Sequence, residues 1–375
     1  MDKKRYRREE REVMNRERNV NLDILRIVAC LLVVLSHVSS VQIDVMPVTT
    51  FDWNISHIYN TLGHTGTILF LFLSGLLLLS EEYDFQPRKF YRRNFLTLLV
   101  AYVAWILIYH LIGFVQRGNW GPEYIKDVII NVIKGEASYH FWYLPMLLGI
   151  YLILPMLRAI CHAGRKLPVY FVILFLIHTV LFGTILYLDF PKKYLVQSVM
   201  TRIPFTLINH YVGYFVMGYV LYRLLRERKV PGGRWSGVGM VVLGVVGALV
   251  GDLAVTAQTG DNSVRFNQLF SLTLCMCAVG IFALVIQLTV RMGEKAARLL
   301  TAISKLTFGV YMIHPLVMSI FENLLGNNES YGVIGIPLVT LLVFGISLFI
   351  VWLASMIPPV KKWILFAGSK KGAGK

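Results

Sequence analysis

Residues 21–40 read NLDILRIVACLLVVLSHVSS, a stretch with an apolar centre that also carries Asp23, Arg26 and His37. Twenty residues of helix rise about 30 Å, the thickness of a bilayer's hydrocarbon layer. A soluble helix needs one apolar stripe, whereas every face of this one is apolar between Ile27 and Leu35. The stretch therefore predicts a transmembrane helix.

The same pattern recurs along the chain. A length of 375 residues would suggest two or three soluble domains, but 56% hydrophobic and 15% charged residues do not clothe a soluble surface. The mean hydropathy is +0.61. Apolar blocks fall at about 22–41, 61–80, 95–115, 141–160, 168–188, 205–225, 236–256, 267–290, 304–325 and 332–357. The expected fold is an all-α membrane protein of about ten transmembrane helices. Residues 116–140, between two spans, have room for one short helix, Pro122 to Ile133.

The positions of Lys and Arg set the orientation. With the N-terminus in the cytoplasm, they concentrate in residues 1–21, in the loops near 81, 158, 223 and 291, and after 357. Only Arg117, Lys126, Lys134, Lys192, Lys193, Arg202 and Arg265 then face outward. An N-in, C-in bundle is expected, with basic cytoplasmic tails at 1–20 and 359–375 around a membrane domain at 21–358. Topology and attraction to anionic lipids explain the net charge of +16, so nucleic acid is not an expected partner. Residues 1–20 are too polar to supply a signal peptide's apolar core. Cys30, Cys161, Cys275 and Cys277 lie in spans or on the inner side, which does not suggest a disulfide framework. Cys275 and Cys277 lack the further ligands of a zinc site, and no metal is expected.

Ionisable groups inside a membrane cost several kcal/mol unless they meet a partner or a cavity, so they head the list of candidates. Arg26 and His37 are eleven residues apart, about 20° from three full turns, and share one helix face about 16 Å apart along the axis. Taken singly, Arg26 reads as a snorkelling cation and His37 as a satisfied helix-helix hydrogen bonder. On one face, with Asp23 a turn below Arg26 to orient it, they read as a site. His314 precedes Pro315, which removes a backbone hydrogen bond beside it. His140 and Trp142 open HFWYLPMLLGIYLILPML, and Asn209 and His210 open NHYVGYFVMGYVLY; both positions also fit an interfacial belt. Arg88, Lys89, Arg92 and Arg93 form a basic run suited to phosphate, although topology alone would also place them there. Phosphate loops, G-x-S-x-G elbows and His-Glu-x-x-His zinc helices are absent.

Taken in order, these strings resemble the acyltransferase 3 family, integral membrane acyltransferases that modify bacterial surface glycans. The carriers are LDILRIVACLLVVLSH with its Arg-x10-His spacing, FLFLSGLLL around Ser74 and Gly75, FYRRNFLTLLVAY, HFWYLPMLLGIYLILPML, GYFVMGYVL and GVYMIHPLV. The family often has a proline after the basic run, and Asn94 to Tyr102 has none. No extracytoplasmic hydrolase-like domain is expected after the tenth span.

The resemblance implies transfer of an acyl group, usually acetyl, from cytoplasmic acyl-CoA to a hydroxyl of a carbohydrate or lipid-linked glycan at a bacterial plasma membrane. Acetyl-CoA would be the co-substrate. On this reading Arg26, Arg92 and Arg93 bind the coenzyme A phosphates, and His37 serves as general base or acyl carrier. His140, Trp142, His314 and Asn209 line the acceptor side. The rival is a glycan transporter or flippase, since many spans, a proline-broken helix and buried polar groups describe that class too. A membrane sensor is a further alternative. Neither the acceptor nor the oligomeric state is fixed by the sequence.

Overall fold

The computed structural model describes residues 3–117, 122–134, 138–202, 208, 210–227, 233–260, 262–290, 292–325 and 332–365, and they form an all-helical bundle. In chain order the helices are α1 (Lys3–Val45), α2 (Phe51–Leu79), α3 (Pro87–Phe90), α4 (Leu96–Arg117), α5 (Pro122–Lys134), α6 (Tyr143–His162) and α7 (Lys166–Phe175). They continue as α8 (Phe182–Ile185), α9 (Lys193–Arg202), α10 (Tyr211–Arg226), α11 (Gly233–Thr259), α12 (Leu272–Ile286), α13 (Glu294–Leu325) and α14 (Gly332–Ala354). Wider π-helical turns at Tyr91–Phe95 and Leu176–Leu181 fuse α3 to α4 and α7 to α8, and a third lies at Val360–Ile364.

Among the described residues, eight helices are long and apolar enough to cross a membrane. The shorter α10 and α12 occupy the sixth and eighth expected spans, so each apolar block of the sequence corresponds to a helix. The protein is a multi-pass membrane protein. The short helix expected at Pro122 is α5.

Of the boundaries that differ from the apolar blocks, two have a local reason in a side-chain cap. Helix α2 starts ten residues before its block, because the Thr50 hydroxyl caps it by accepting from Trp53 N at 3.2 Å. Helix α12 starts five residues inside its block, where the Ser271 hydroxyl accepts from Leu274 N at 3.1 Å.

Helix α2 is the hub. Gly75 lies so close to α10 that a Cβ there would run into the Phe215 carbonyl, and Gly63 lies against α1, where a Cβ would stand 2.5 Å from Ser36 N. Apolar helices in lipid associate through such close packing rather than through a hydrophobic driving force. Phe72, Tyr214 and Phe282 fill the space around the hub with edge-to-face rings. Helix α13 packs on α1 and on α14, and these contacts position the candidate site. All four cysteines are buried and free.

Candidate functional site

Helices α1 and α13 are joined at two levels. At the first, Asp23 Oδ2 accepts from Thr301 Oγ1 at 2.7 Å and Asp23 Oδ1 from Ser304 Oγ at 2.6 Å. Ser304 Oγ in turn accepts from Arg26 Nη1 at 2.9 Å, and Arg26 Nη1 lies 3.4 Å from Asp23 Oδ1. The carboxylate thus lies against the guanidinium one turn away on α1. Among the described residues both Arg26 bonds leave from Nη1, so Nη2 and Nε are donors that could face an anion. Midway between the levels, Cys30 Sγ donates to the Thr307 carbonyl at 3.5 Å.

At the second level the His37 and His314 rings stack, with centroids 5.3 Å apart and planes at 24°. His140 joins them, its centroid 5.6 Å from that of His314. Tyr139, which is half-exposed, packs on His37 at 4.7 Å. The three histidines come from three distant parts of the chain.

The His-Pro pair on α13 explains one ring's orientation. Pro315 has no N–H, so the Tyr311 carbonyl four residues earlier loses its helical donor. The His314 imidazole takes that place, with Nδ1 2.7 Å from Tyr311 O and 3.3 Å from Val310 O. Two carbonyls at Nδ1 require the proton to be there, so Nε2 carries the lone pair. Tyr311 also donates through its hydroxyl to the His140 carbonyl at 2.6 Å, and Tyr109 donates to the Met312 carbonyl at 2.8 Å. These bonds tie the turn at 138–142 and helix α4 to the same part of α13.

Among the described residues, His314 Nε2 and His140 Nε2 are buried without a hydrogen-bond partner. An orphaned buried polar atom costs about 1–3 kcal/mol, so these two nitrogens are atoms with which a further polar group could pair. His140 lies in the turn before α6, where burial, with His37 beside it, pushes its imidazole down to about 3. It is therefore neutral at ordinary pH. Such an assembly can accept a proton at a nitrogen and hold hydroxyl groups against neutral imidazoles. Among the described residues, no group of three His, Cys, Asp or Glu side chains is placed to hold a metal ion.

The structure gathers the other candidates unevenly. Arg92 and Arg93 sit exposed on the π-helical turn before α4, held by the buried Phe90 and by Tyr91, whose hydroxyl donates to Leu152 O at 3.0 Å. Trp142 packs beside Tyr211 at 5.2 Å and Tyr143 at 6.0 Å rather than with the stacked histidines. Asn209 lies outside the described residues.

Sequence reasoning missed the α13 partners Thr301 and Ser304, although their three-residue spacing marks one polar face. It also missed His57, Asn60, Thr61 and His64 on α2, which the same periodicity test would have found.

A family model described as an acyltransferase domain matches residues 19–356, which spans the bundle from α1 to the turn after α14. No curated protein and no solved structure matches the chain.

Proposed function

The chain belongs to the acyltransferase 3 family, and from that premise we propose that it transfers an acetyl group from cytoplasmic acetyl-CoA to a hydroxyl of a cell-envelope glycan. The observation that carries this reading is the ladder between α1 and α13, with a guanidinium at one level and a histidine cluster at the other. The distribution of Lys and Arg supports a cytoplasmic position for the Arg26 end.

In this reading Arg26 pairs with a phosphate of coenzyme A, and the exposed Arg92 and Arg93 hold further phosphates. Arginine suits that task because its planar fork matches phosphate oxygens. The pantetheine arm runs along the α1–α13 seam and brings the thioester to His37. About 16 Å of helix separates the two residues, a span that an extended arm of that type covers.

His37 takes the proton of the acceptor hydroxyl as that oxygen attacks the thioester carbonyl. The carbon–sulfur bond breaks, and the departing thiolate recovers the proton from the imidazolium. Protons therefore balance within the site, and the products are an ester and coenzyme A. His314, bare at Nε2, accepts a hydrogen bond from an acceptor hydroxyl, and the neighbouring His140 ring borders the same place.

The test is incubation of membranes carrying the protein with acetyl-CoA labelled in the acetyl group. Label in envelope material, absent from membranes without the protein, is the expected result. A glycan transporter would leave acetyl-CoA neither bound nor consumed.

A further inference from the structure

Helix α2 carries a polar stripe that the proposed reaction does not use. His57, Asn60, Thr61 and His64 share one face, and the first three are at most 2% exposed. Polar groups in apolar surroundings must be satisfied internally, and here the hydrogen bonds run in a single direction. The Ser36 carbonyl, 3.0 Å from Asn60 Nδ2, fixes that amide nitrogen as donor; it donates also to Ser40 Oγ at 2.8 Å. Asn60 Oδ1 accordingly accepts from Asn267 Nδ2. Asn267 then presents its side-chain oxygen and its backbone oxygen, each at 3.0 Å, to His64 Nδ1.

Facing two acceptors, His64 Nδ1 must carry the proton, and Nε2 is a bare lone pair. A second set of bonds holds the loop that supplies Asn267. Buried Asp252 accepts from Ser263 Oγ at 3.1 Å and Phe266 N at 2.9 Å, and it pairs with His57 Nε2 at 2.9 Å.

The close approach of Gly63 to Ser36 brings the next residue on each helix, His64 and His37, to one level of the bundle. The two imidazoles are near enough to act on each other electrostatically. Among the described residues His314 makes no hydrogen bond to His37: its Nδ1 is committed to carbonyls and its Nε2 is without a partner. Helix α2 supplies a locked acceptor for the N–H edge of His37 from another direction.

We propose that His64 is a positioning residue of the transfer site. Its Nε2, kept bare by Asn267, receives the N–H edge of His37 through a bridging water and leaves the other His37 nitrogen free for the acceptor hydroxyl. This rests on the reading of His37 as the base.

The test compares two amide replacements in full-length protein. His64→Asn puts an amide nitrogen where Nδ1 stands, so it keeps the bond to Asn267 and has nothing at the outer ring position. His64→Gln puts a carbonyl oxygen where Nε2 stands and keeps the acceptor. Membranes from host cells lacking the wild-type copy are incubated with labelled acetyl-CoA at matched protein levels. Matched acetyl-CoA binding shows that each variant is folded.

Incorporation into envelope material should be about tenfold higher with Gln than with Asn, within the range that proton positioning contributes. A merely structural role requires the reverse order, and Asn equal to or above Gln overturns the proposal. If neither variant accumulates, Asn267→Asp replaces them, since its carboxylate draws a second proton onto the His64 ring and removes the lone pair. A loss of about tenfold then supports the proposal, and unchanged incorporation overturns it. If the wild-type protein incorporates no label, or His37→Ala still does, the reading of His37 itself has failed and the proposal falls with it.

Discussion

The imidazole of His37 stacks on that of His314 at 5.3 Å, on two helices that are also joined below by Arg26 and Ser304. Eleven residues separate the α1 pair and ten the α13 pair, so both helices rise about 15–16 Å between the two levels. The cation and the histidines are thus held at a set separation by two rigid rods fastened at both ends. A site that must grip one end of a long substrate and act on the other needs that constancy.

Replacing His37 with Ala should reduce transfer at least about a hundredfold, since general-base groups contribute on that scale. The protein should still insert and still bind acetyl-CoA. Label incorporation and equilibrium binding, measured on the same membranes, check both parts; appreciable remaining transfer would remove His37 from the chemistry.

Arg26→Ala should weaken acetyl-CoA binding by about tenfold or more, because a hydrogen bond to a charged group is worth roughly 1.5–3 kcal/mol. Ser304→Ala should act in the same direction but less, since Asp23 still pairs with Arg26 after the hydroxyl bridge is gone. The ordering is the informative result. An unchanged affinity for Arg26→Ala would return that residue to an ordinary interfacial cation.

The helices and the Arg26–His37 face were legible in the sequence because each depends on one segment's own periodicity. Apolar blocks of bilayer length mark the spans, and eleven residues make nearly three turns whatever surrounds them. The partners were not legible in the same way. That Asp23 meets Thr301 and Ser304, or that His140 joins His314, depends on which helices pack together, which a single segment's pattern does not encode. That Tyr211 comes from another helix to pack beside Trp142 depends on the same thing. The stripe from His57 to His64 shows the opposite failure. Its spacing was visible, but half of it falls before the apolar block and half at the block's edge, where polar residues look like an ordinary helix start.

Gly75→Ala should fail to accumulate as folded protein. The added methyl would strike the Phe215 carbonyl, which is backbone and cannot rotate aside. Overpacking typically costs about 1–3 kcal/mol even where side chains can adjust. Gly149→Ala is the control, since a Cβ there meets nothing within 4 Å. Comparing the monodisperse fraction of the two variants in detergent distinguishes close packing from a general intolerance of glycine replacement.

His140 makes the folded protein sensitive to acid. Its folded value of about 3 lies below the ordinary 6.5, so between those limits the unfolded chain holds a proton that the folded chain does not. Stability therefore rises with pH through this window and is lost as pH falls. Between pH 6.5 and 5 the loss from this one group is about 1.6 kcal/mol. Apparent melting temperature in detergent should fall over that range, and His140→Asn should flatten the slope; an equally steep slope in the variant would assign the acid sensitivity elsewhere.

Pro315→Ala separates the stability of α13 from the chemistry of its histidine. Alanine restores a backbone N–H that can donate to the Tyr311 carbonyl, the acceptor now held by His314 Nδ1 at 2.7 Å. Proline inside a helix costs up to about 3 kcal/mol relative to alanine, so the variant should be at least as stable as the parent. Its imidazole, however, then shares the nearer of its two carbonyl partners with that N–H, and its other partner, Val310 O, stands at 3.3 Å. With the proton held less firmly at Nδ1, the ring can exchange tautomers and turn its N–H toward the substrate side. Transfer should fall by about tenfold while the apparent melting temperature holds or rises. Because a destabilised bundle would lower both together, the opposite signs are the diagnostic result, and a variant with full activity would show that the orientation of His314 is incidental to the reaction.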